Sequence, residues 1–294
     1  MKKLVRRLFN QIGFDISRAD NGKPRWSGIA GDYYPIDPRA RWGHGQKSHP
    51  QIEELLTSQL EDFKKLINEI EKYKRVFSHI PFEAASPTAP FWNNTWFSTL
   101  DAASLMFFIY ERSPKTYLEI GSGFSTKFAR TAIDAAGSGT KLCSIDPHPR
   151  SEIDDICDEV TRIPLELVDL QAFESLTAND IAFFDGSHRI FTNSDTTVFL
   201  LDVLPRLKPG VLVHFHDIFW PDDYIPEWNV RLYSEQYALG AMLLGGMSRY
   251  RVVLPNYFVS TNPETAPLVG RLGIPITYPR TNKPGLSFWI EVLS

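Results

Sequence analysis

The chain predicts an α/β protein with a Rossmann-like, doubly wound sheet, and three observations predict it. Short apolar runs alternate with helical patterns from about residue 117 onward; the first run, "YLEIG", passes straight into the turn "GSGFST"; and several later runs close on a carboxylate or a histidine. Such alternation suits a parallel sheet covered on both faces, because each crossover lays a helix on one side. In sheets of this kind ligands bind beyond the carboxyl ends of the strands, so the polar residues closing the runs are the site candidates: Glu119, Asp146, Asp169, Asp185, His216 and Asp217.

With 294 residues, 43% of them hydrophobic, the chain can bury one large core. The expected division is an N-terminal helical and irregular extension, 1–94, and a main domain, 95–294. In "MKKLVRRLFNQIGFDISR", Leu4, Leu8 and Ile12 fall on one helical face while Lys2, Lys3, Arg6 and Arg7 lie around the rest. This short cationic helix, residues 1–18, is suited to docking on its own domain or a partner subunit. The other reading of such a helix is that it lies on an anionic membrane surface, where each basic residue contributes about 1 kcal/mol. Residues 24–50, rich in Gly, Pro, Tyr and Trp, read as an irregular surface segment with His44 and His49 exposed. Residues 51–76 carry apolar positions at three- and four-residue steps and predict one long helix. A further helix, capped by Asn94 or Ser98 and ending before Pro114, leads into the first strand.

The strands expected after "YLEIG" are "KLCSID", "IPLELV", "DIAFFD", "GVLVHFHD", "YRVVLPNYFV" and "LSFWIEVL", with helices near 125–136, 151–159, 194–206 and 229–245. The Pro- and Gly-rich stretch 261–285 is expected to be a lid or a long connection. A net charge of -4 argues against a basic nucleic-acid-binding surface. Two cysteines, Cys143 in a strand and Cys157 in a helix, form neither a disulfide framework nor a zinc-ligand spacing and read as buried thiols in a reducing compartment. No apolar run approaches the roughly 18 to 20 residues that span a bilayer, and no signal peptide is evident. The expected location is the cytoplasm, with the inner membrane surface open to residues 1–18.

The glycine turn limits the ligand. Gly121, Ser122 and Gly123 let the backbone turn and approach a ligand, but a dinucleotide fingerprint would have glycine or alanine where this chain has Thr126. Glu119, at the strand end, would repel a diphosphate and attract a cationic ligand. Asp146 closes the second strand 25 positions after Gly121, placed to accept hydrogen bonds from both hydroxyls of a ribose. Asp169 is suited either to approaching an adenine or to capping the helix "LQAFESL".

On "LEIGSGFST", "SIDPHPR", "FFDGSHRI" and "LKPGVLVHFHDIF", the chain resembles the class I S-adenosylmethionine-dependent methyltransferases over roughly residues 95–260, and its DG-x-H and HD elements resemble the branch known as methyltransferase domain family 24. The resemblance implies a seven-stranded sheet in the order 3-2-1-4-5-7-6 with the last strand antiparallel, and S-adenosyl-L-methionine as cofactor. A sulfonium ligand is compatible with Glu119 beside the turn, where a phosphate is not.

Methyl transfer to an alcohol or phenol needs the nucleophile in line with the methyl group and its proton removed. Asp185, His216 and Asp217 end the fourth and fifth strands and are expected to converge, where they could hold a divalent ion, magnesium or a transition metal, as the catechol-type and macrolide sugar methyltransferases do at comparable strand ends. His216 in that set suits a transition ion better than magnesium. His188, in "DGSHR", is the candidate general base beside Asp185; His214 reads as a core histidine, and Asp195 as a helix-start carboxylate outside the site. The segment "WPDDYIPEWNVRLYSEQYALGAML", with Arg231, Glu235 and Gln236, offers a wall for a small-molecule, sugar or polysaccharide-type acceptor, or else core and homo-oligomer contacts through Trp228, Tyr233 and Tyr237. The expected activity is O-methylation. Two alternatives remain open: a metal-dependent oxidative enzyme of the same fold, like the cephalosporin hydroxylases, and a non-catalytic cofactor-binding scaffold.

Overall fold

The computed structural model describes residues 39–97, 99–150, 152–275 and 285–294. The cationic stretch 1–18 and the alternative cap Ser98 lie outside these residues. Seven strands form one sheet in the order β3-β2-β1-β4-β5-β7-β6: β1 Thr116–Ile120, β2 Lys141–Ile145, β3 Glu159–Thr161, β4 Ile181–Phe184, β5 Leu212–Phe215, β6 Tyr250–Pro255 and β7 Phe288–Val292. The first five pair in parallel, and β7 runs antiparallel to both β5 and β6. The expected order and the expected antiparallel strand are both present. Strands β1, β4 and β5 are buried almost throughout, which is why their sequences read as continuous apolar runs without alternation.

Before the sheet, the expected single helix over 51–76 is three helical pieces, Pro50–Thr57, Leu60–Glu71 and Lys74–Phe77. Ser58 Oγ donates to the Leu55 carbonyl at 2.7 Å, a local bond of the kind that competes with helix continuation. The apolar face survives the breaks, with Ile52, Leu56, Leu60, Phe63, Ile67 and Ile70 all buried. These residues share one core with the sheet residues Tyr117, Phe183, Val213 and Trp289, so the boundary drawn at residue 94 does not separate two packed bodies. Residues 39–294 form one compact unit. Burying each such side chain contributes about 1.5–3 kcal/mol, enough to hold the helices on the sheet.

His49 is not an exposed loop residue: its Nδ1 accepts from the Ile52 amide at the helix start, and its ring packs between Trp42 and Trp220. His44 is exposed, as expected. Asn94 Oδ1 accepts from the amides of Trp96 (3.1 Å) and Phe97 (2.8 Å), and the helix Thr99–Arg112 follows.

Three other elements differ from expectation. "IPLELV" is not a strand: β3 starts four residues earlier and is shorter, Glu159–Thr161, and Leu165–Leu167 is a tight turn after Pro164, whose missing amide hydrogen cannot serve a ladder. The helix expected over 151–159 is a single turn, Asp154–Ile156, with Cys157 just beyond it; both cysteines are free. "YRVVLPNYFV" is a strand only to Pro255, and Asn256–Thr261 is helical. Of the stretch 261–285, residues 276–284 lie outside the described residues, and Ala266–Gly270 forms a short helix.

Candidate active site

A cleft of about 400 Å³ opens at the carboxyl ends of β1, β2 and β4, within the usual size range of small-molecule pockets. Its wall includes Gly121, Ser122, Gly123, Asp146 and Asp185, together with Trp96, Phe97, Leu165, Glu166 and Asp195.

The turn after β1 explains itself residue by residue. Gly121 has φ +82°, and a Cβ there would lie 1.8 Å from the Asp185 carbonyl oxygen, so the position excludes every other residue. At Gly123 a Cβ would meet nothing, and its amide donates to Thr126 Oγ1 at 2.9 Å. Thr126 Oγ1 in turn donates to Glu119 Oε2 at 2.6 Å, and the Ser125 hydroxyl donates to Glu119 Oε1. Thr126 therefore stands where a dinucleotide fingerprint has glycine because this turn caps its helix with a hydroxyl held by a carboxyl group.

That arrangement corrects the role expected of Glu119. It is fully buried behind the turn and does not line the cleft. Burial pushes its pKa up to about 8, with Asp185 and Asp146 adding to the rise and the two hydroxyl hydrogen bonds opposing it. At neutral pH it is mostly uncharged, so it braces the helix start and is no electrostatic lure for a cation.

Asp146 stands on the cleft wall, its Oδ2 accepting from the Ser122 amide (2.8 Å) and its Oδ1 from the His148 amide (2.7 Å). The two amides aim the carboxylate. Asp169 is exposed and off the wall; its Oδ1 accepts from the Gln171 amide at 3.0 Å in a local turn before the short helix Gln171–Glu174, and Leu165 and Glu166 line that side of the cleft.

At the other end Asp185, His188, His216 and Asp217 come together. Asp185 Oδ1 lies 3.1 Å from His188 Nε2 and 3.6 Å from His216 Nδ1; Asp217 lies 3.5 Å from each of the same two nitrogens. Two fully buried carboxylates on separate helices complete the array: Asp101, 3.5 Å from His216 Nε2, and Glu235, 2.8 Å from His188 Nδ1. The order is thus Asp101–His216–Asp185/Asp217–His188–Glu235. Burial disfavours charge on either ring, but the surrounding carboxylates outweigh it and hold both histidines well above their ordinary pKa. Burial likewise opposes charge on Asp185, and the adjacent imidazoles override it and keep the carboxylate well below its usual range. The array is a set of interleaved ion pairs.

This geometry changes the part expected of His188. The ring is buried, both nitrogens face carboxylates, and it carries a proton where a general base must lack one. Asp185, with 23% of its side chain exposed, is the member that reaches the cleft wall. Asp217 and His188 have φ of 57° and 59°, left-handed conformations that bulky residues adopt only under constraint.

Asp185, His216 and Asp217, expected to share a divalent ion, do converge, but the His216 nitrogen facing the carboxylates is engaged as their ion-pair partner. Among the described residues no group of three or more His, Cys, Asp or Glu side chains is arranged to hold a metal ion. As placed, Asp185, His216 and Asp217 are arranged as ion-pair partners and not around a metal ion. His214 is a core residue, stacked on Phe183 at 3.7 Å with its Nε2 2.7 Å from Ser287 Oγ.

Sequence reasoning missed Asp101 and misplaced Asp195. Asp101 is a lone acid in the apolar run "LDAASLMFF", and that burial was the available signal. Asp195 begins a helix, as expected, but also lines the cleft, accepting from the Ser187 amide at 2.7 Å. In the aromatic segment, Trp228 is packed in a buried cluster with Phe219, Tyr224 and Tyr257, and the Gln236 side chain accepts from the Phe219 amide at 3.0 Å. Both support the fold there. Tyr237 is 41% exposed.

Residues 118–218 match the family model described as "Methyltransferase domain". No curated protein matches the chain significantly. Solved structures similar to it include an O-methyltransferase from Bacillus cereus in complex with SAH (14% identity over 83% of this chain and 97% of that one, TM-score 0.42). The O-methyltransferase TomG from Streptomyces achromogenes, involved in tomaymycin synthesis and solved with SAM, is similar at 13% identity over 78% of this chain and 89% of that one, TM-score 0.41. The SAH-bound Podospora anserina methyltransferase PaMTH1 is similar at 14% identity over 86% of this chain and all (100%) of that one, TM-score 0.40.

Proposed function

We propose that the protein is a class I S-adenosylmethionine-dependent methyltransferase, a reading supported by the methyltransferase-domain match over residues 118–218 and the strand order, and that it methylates a hydroxyl oxygen of a small-molecule or glycan acceptor, with Asp185 as the residue that receives the acceptor hydroxyl. The observation that carries this reading is the single cleft in which Asp146 stands at one end and Asp185 at the other. S-adenosylmethionine, when bound, supplies an electrophilic sulfonium methyl group.

The chain's own residues do the rest. Gly121, Ser122 and Gly123 admit the ligand to the backbone, and Asp146 is aimed to accept the ribose hydroxyls. Asp185, ionised and partly exposed, accepts a hydrogen bond from the acceptor hydroxyl and so directs an oxygen lone pair at the methyl carbon. The O–H bond becomes strongly acidic as the new C–O bond forms, so a carboxylate of low pKa suffices to take the proton late in the step. His188 and His216 hold the carboxylate in place and balance its charge. Trp96 and Phe97 close the apolar side of the cleft. Contact of residues 1–18 with a membrane or a partner, association into homo-oligomers and a cytoplasmic location remain proposals that stand on sequence alone.

Calorimetry with S-adenosylhomocysteine tests the cofactor half, with a Kd on the micromolar scale expected, about -8 kcal/mol. Release of S-adenosylhomocysteine over a panel of sugars and phenols tests the transfer half. Absence of binding sinks the proposal. Transfer that survives exhaustive chelation is expected from the ion-paired array; transfer abolished by chelation would restore the metal to Asp185, His216 and Asp217.

A further inference from the structure

Glu235 is the least explained charged group in the molecule. It is fully buried at the first position of the helix Glu235–Leu244, and its Oε1 has no hydrogen-bond partner among the described residues. A carboxyl group in such a place is destabilising unless it is paired. Its other oxygen has one partner, His188 Nδ1 at 2.8 Å. Backbone bonds reinforce the junction: the amides of Ser234 (2.8 Å) and Glu235 (3.2 Å) both donate to the His188 carbonyl, and the Ile190 amide donates to Ser234 Oγ at 2.8 Å. The loop holding His188 is therefore fastened to the start of this helix.

An imidazole has two nitrogens, and the partner of one sets what the other can do. With Nδ1 directed to Glu235, Nε2 is turned to Asp185 Oδ1 (3.1 Å) and Asp217 Oδ2 (3.5 Å), and the Tyr233 ring at 4.6 Å limits the ring on one side. With Glu235, these carboxylates are the charged groups in direct contact with His188 among the described residues; His216 lies across Asp185 and Asp217, and Arg189 and Arg231 lie over the Tyr233 ring. We propose that Glu235 is a positioning residue of the transfer site: by accepting the Nδ1 hydrogen of His188 it orients the ring so that Nε2 holds the Asp185 carboxylate at the cleft wall. The inference rests on the proposal that Asp185 receives the acceptor hydroxyl. It gives the segment after Trp220 a part in the chemistry through His188, with no contact to the acceptor required.

The test uses nitrogen-resolved NMR of the histidine side chains in the full chain with S-adenosylhomocysteine bound, His188 being assigned by the signal lost in His188→Gln. The wild type should show a protonated, slowly exchanging Nδ1. Glu235→Gln, whose amide oxygen still accepts, should keep that signal. Glu235→Met, of similar volume, should lose it and move the Asp185 carboxyl carbon resonance with it. The Kd for S-adenosylhomocysteine should change by no more than about twofold in both variants, as for sites that share no partner. Retention of the signal in Glu235→Met overturns the inference; should that variant not fold, an unprotonated Nδ1 in the wild type overturns it without any variant. Failure of the wild type to bind S-adenosylhomocysteine overturns the transfer proposal itself, whereas binding with an unprotonated Nδ1 overturns the role of Glu235 alone.

Discussion

The two ends of the cleft are made differently. At the β1–β2 end the turn and Asp146 are held by partners close in sequence: Ser122 with Asp146, Asp146 with His148, Glu119 with Thr126. At the β4–β5 end the wall carries Asp185, backed by a buried file of imidazole and carboxyl groups whose partners come from helices far along the chain, Asp101 for His216 and Glu235 for His188. The first end is fixed by backbone and local hydrogen bonds, the Gly121 turn and the two amides that hold Asp146. The second is a charge pattern, in which removing one member leaves another unpaired in a buried setting. Binding and chemistry should therefore fail separately, and by different routes.

Gly121→Ala is expected to break the distinction altogether, because its Cβ would overlap the Asp185 carbonyl and damage both ends. The positive φ and the overlap together should cost roughly 2 to 5 kcal/mol, each kcal/mol lowering Tm by about 2–4 °C in a domain of this size. Gly123→Ala, with open space for its Cβ, should leave Tm nearly unchanged. Equal Tm values for the two variants would refute the contact. Asp185→Asn should sharpen the comparison: turnover on any acceptor found should fall by about 10² to 10⁴ while the S-adenosylhomocysteine Kd holds. A parallel loss of affinity would show that the two ends are one site energetically.

Glu119 offers a pH-dependent version of the same contrast. Its pKa of about 8 in the folded protein exceeds the ordinary 4.5, so the folded state holds the proton more tightly. The contribution to stability is fully present below the unfolded value and is lost as pH rises through the folded one. Across that window wild-type stability should fall by up to about 1.4 kcal/mol per pH unit. Glu119→Gln, permanently uncharged, should remove this component, which denaturant titrations at pH 5, 6.5 and 8 would measure. Parallel curves for the two proteins would contradict the burial argument. The smallest expected loss is that of Asp146→Ala, which should weaken S-adenosylhomocysteine binding by roughly 1.5 to 3 kcal/mol without altering the His188 side-chain resonances.

The same contrast governs what could be read in advance. The strand runs, the glycine turn and the place of Asp146 at the end of β2 were legible because local spacing and apolar runs encode them, and their partners lie within a few tens of residues; the strand order came from the resemblance alone. "IPLELV" misled because its pattern of apolar residues is a strand's, while Pro164 and the edge position shortened β3 to Glu159–Thr161. Glu119 was correctly located at the strand end, but its surroundings, and hence its charge, depend on how Ser125 and Thr126 fold back upon it. For His188, residue type and strand-end placement were visible, but not the carboxylate waiting 47 positions further on, at Glu235. Charge state belongs to the packed neighbourhood, and periodicity carries no record of it.

Gly121 presses against the first peptide beyond β4, so the turn proposed to hold the cofactor and the loop that presents Asp185 are in backbone contact at a point where no side chain fits. No adjustable side chain cushions that point. Displacement of one loop is transmitted to the other, and a lineage that reshaped the turn for a different cofactor would have to re-aim its acceptor chemistry in the same step. Acceptor preference, by contrast, can drift through the outer loops without touching that contact, so divergence within this architecture should run through what is methylated far more readily than through what donates the methyl group.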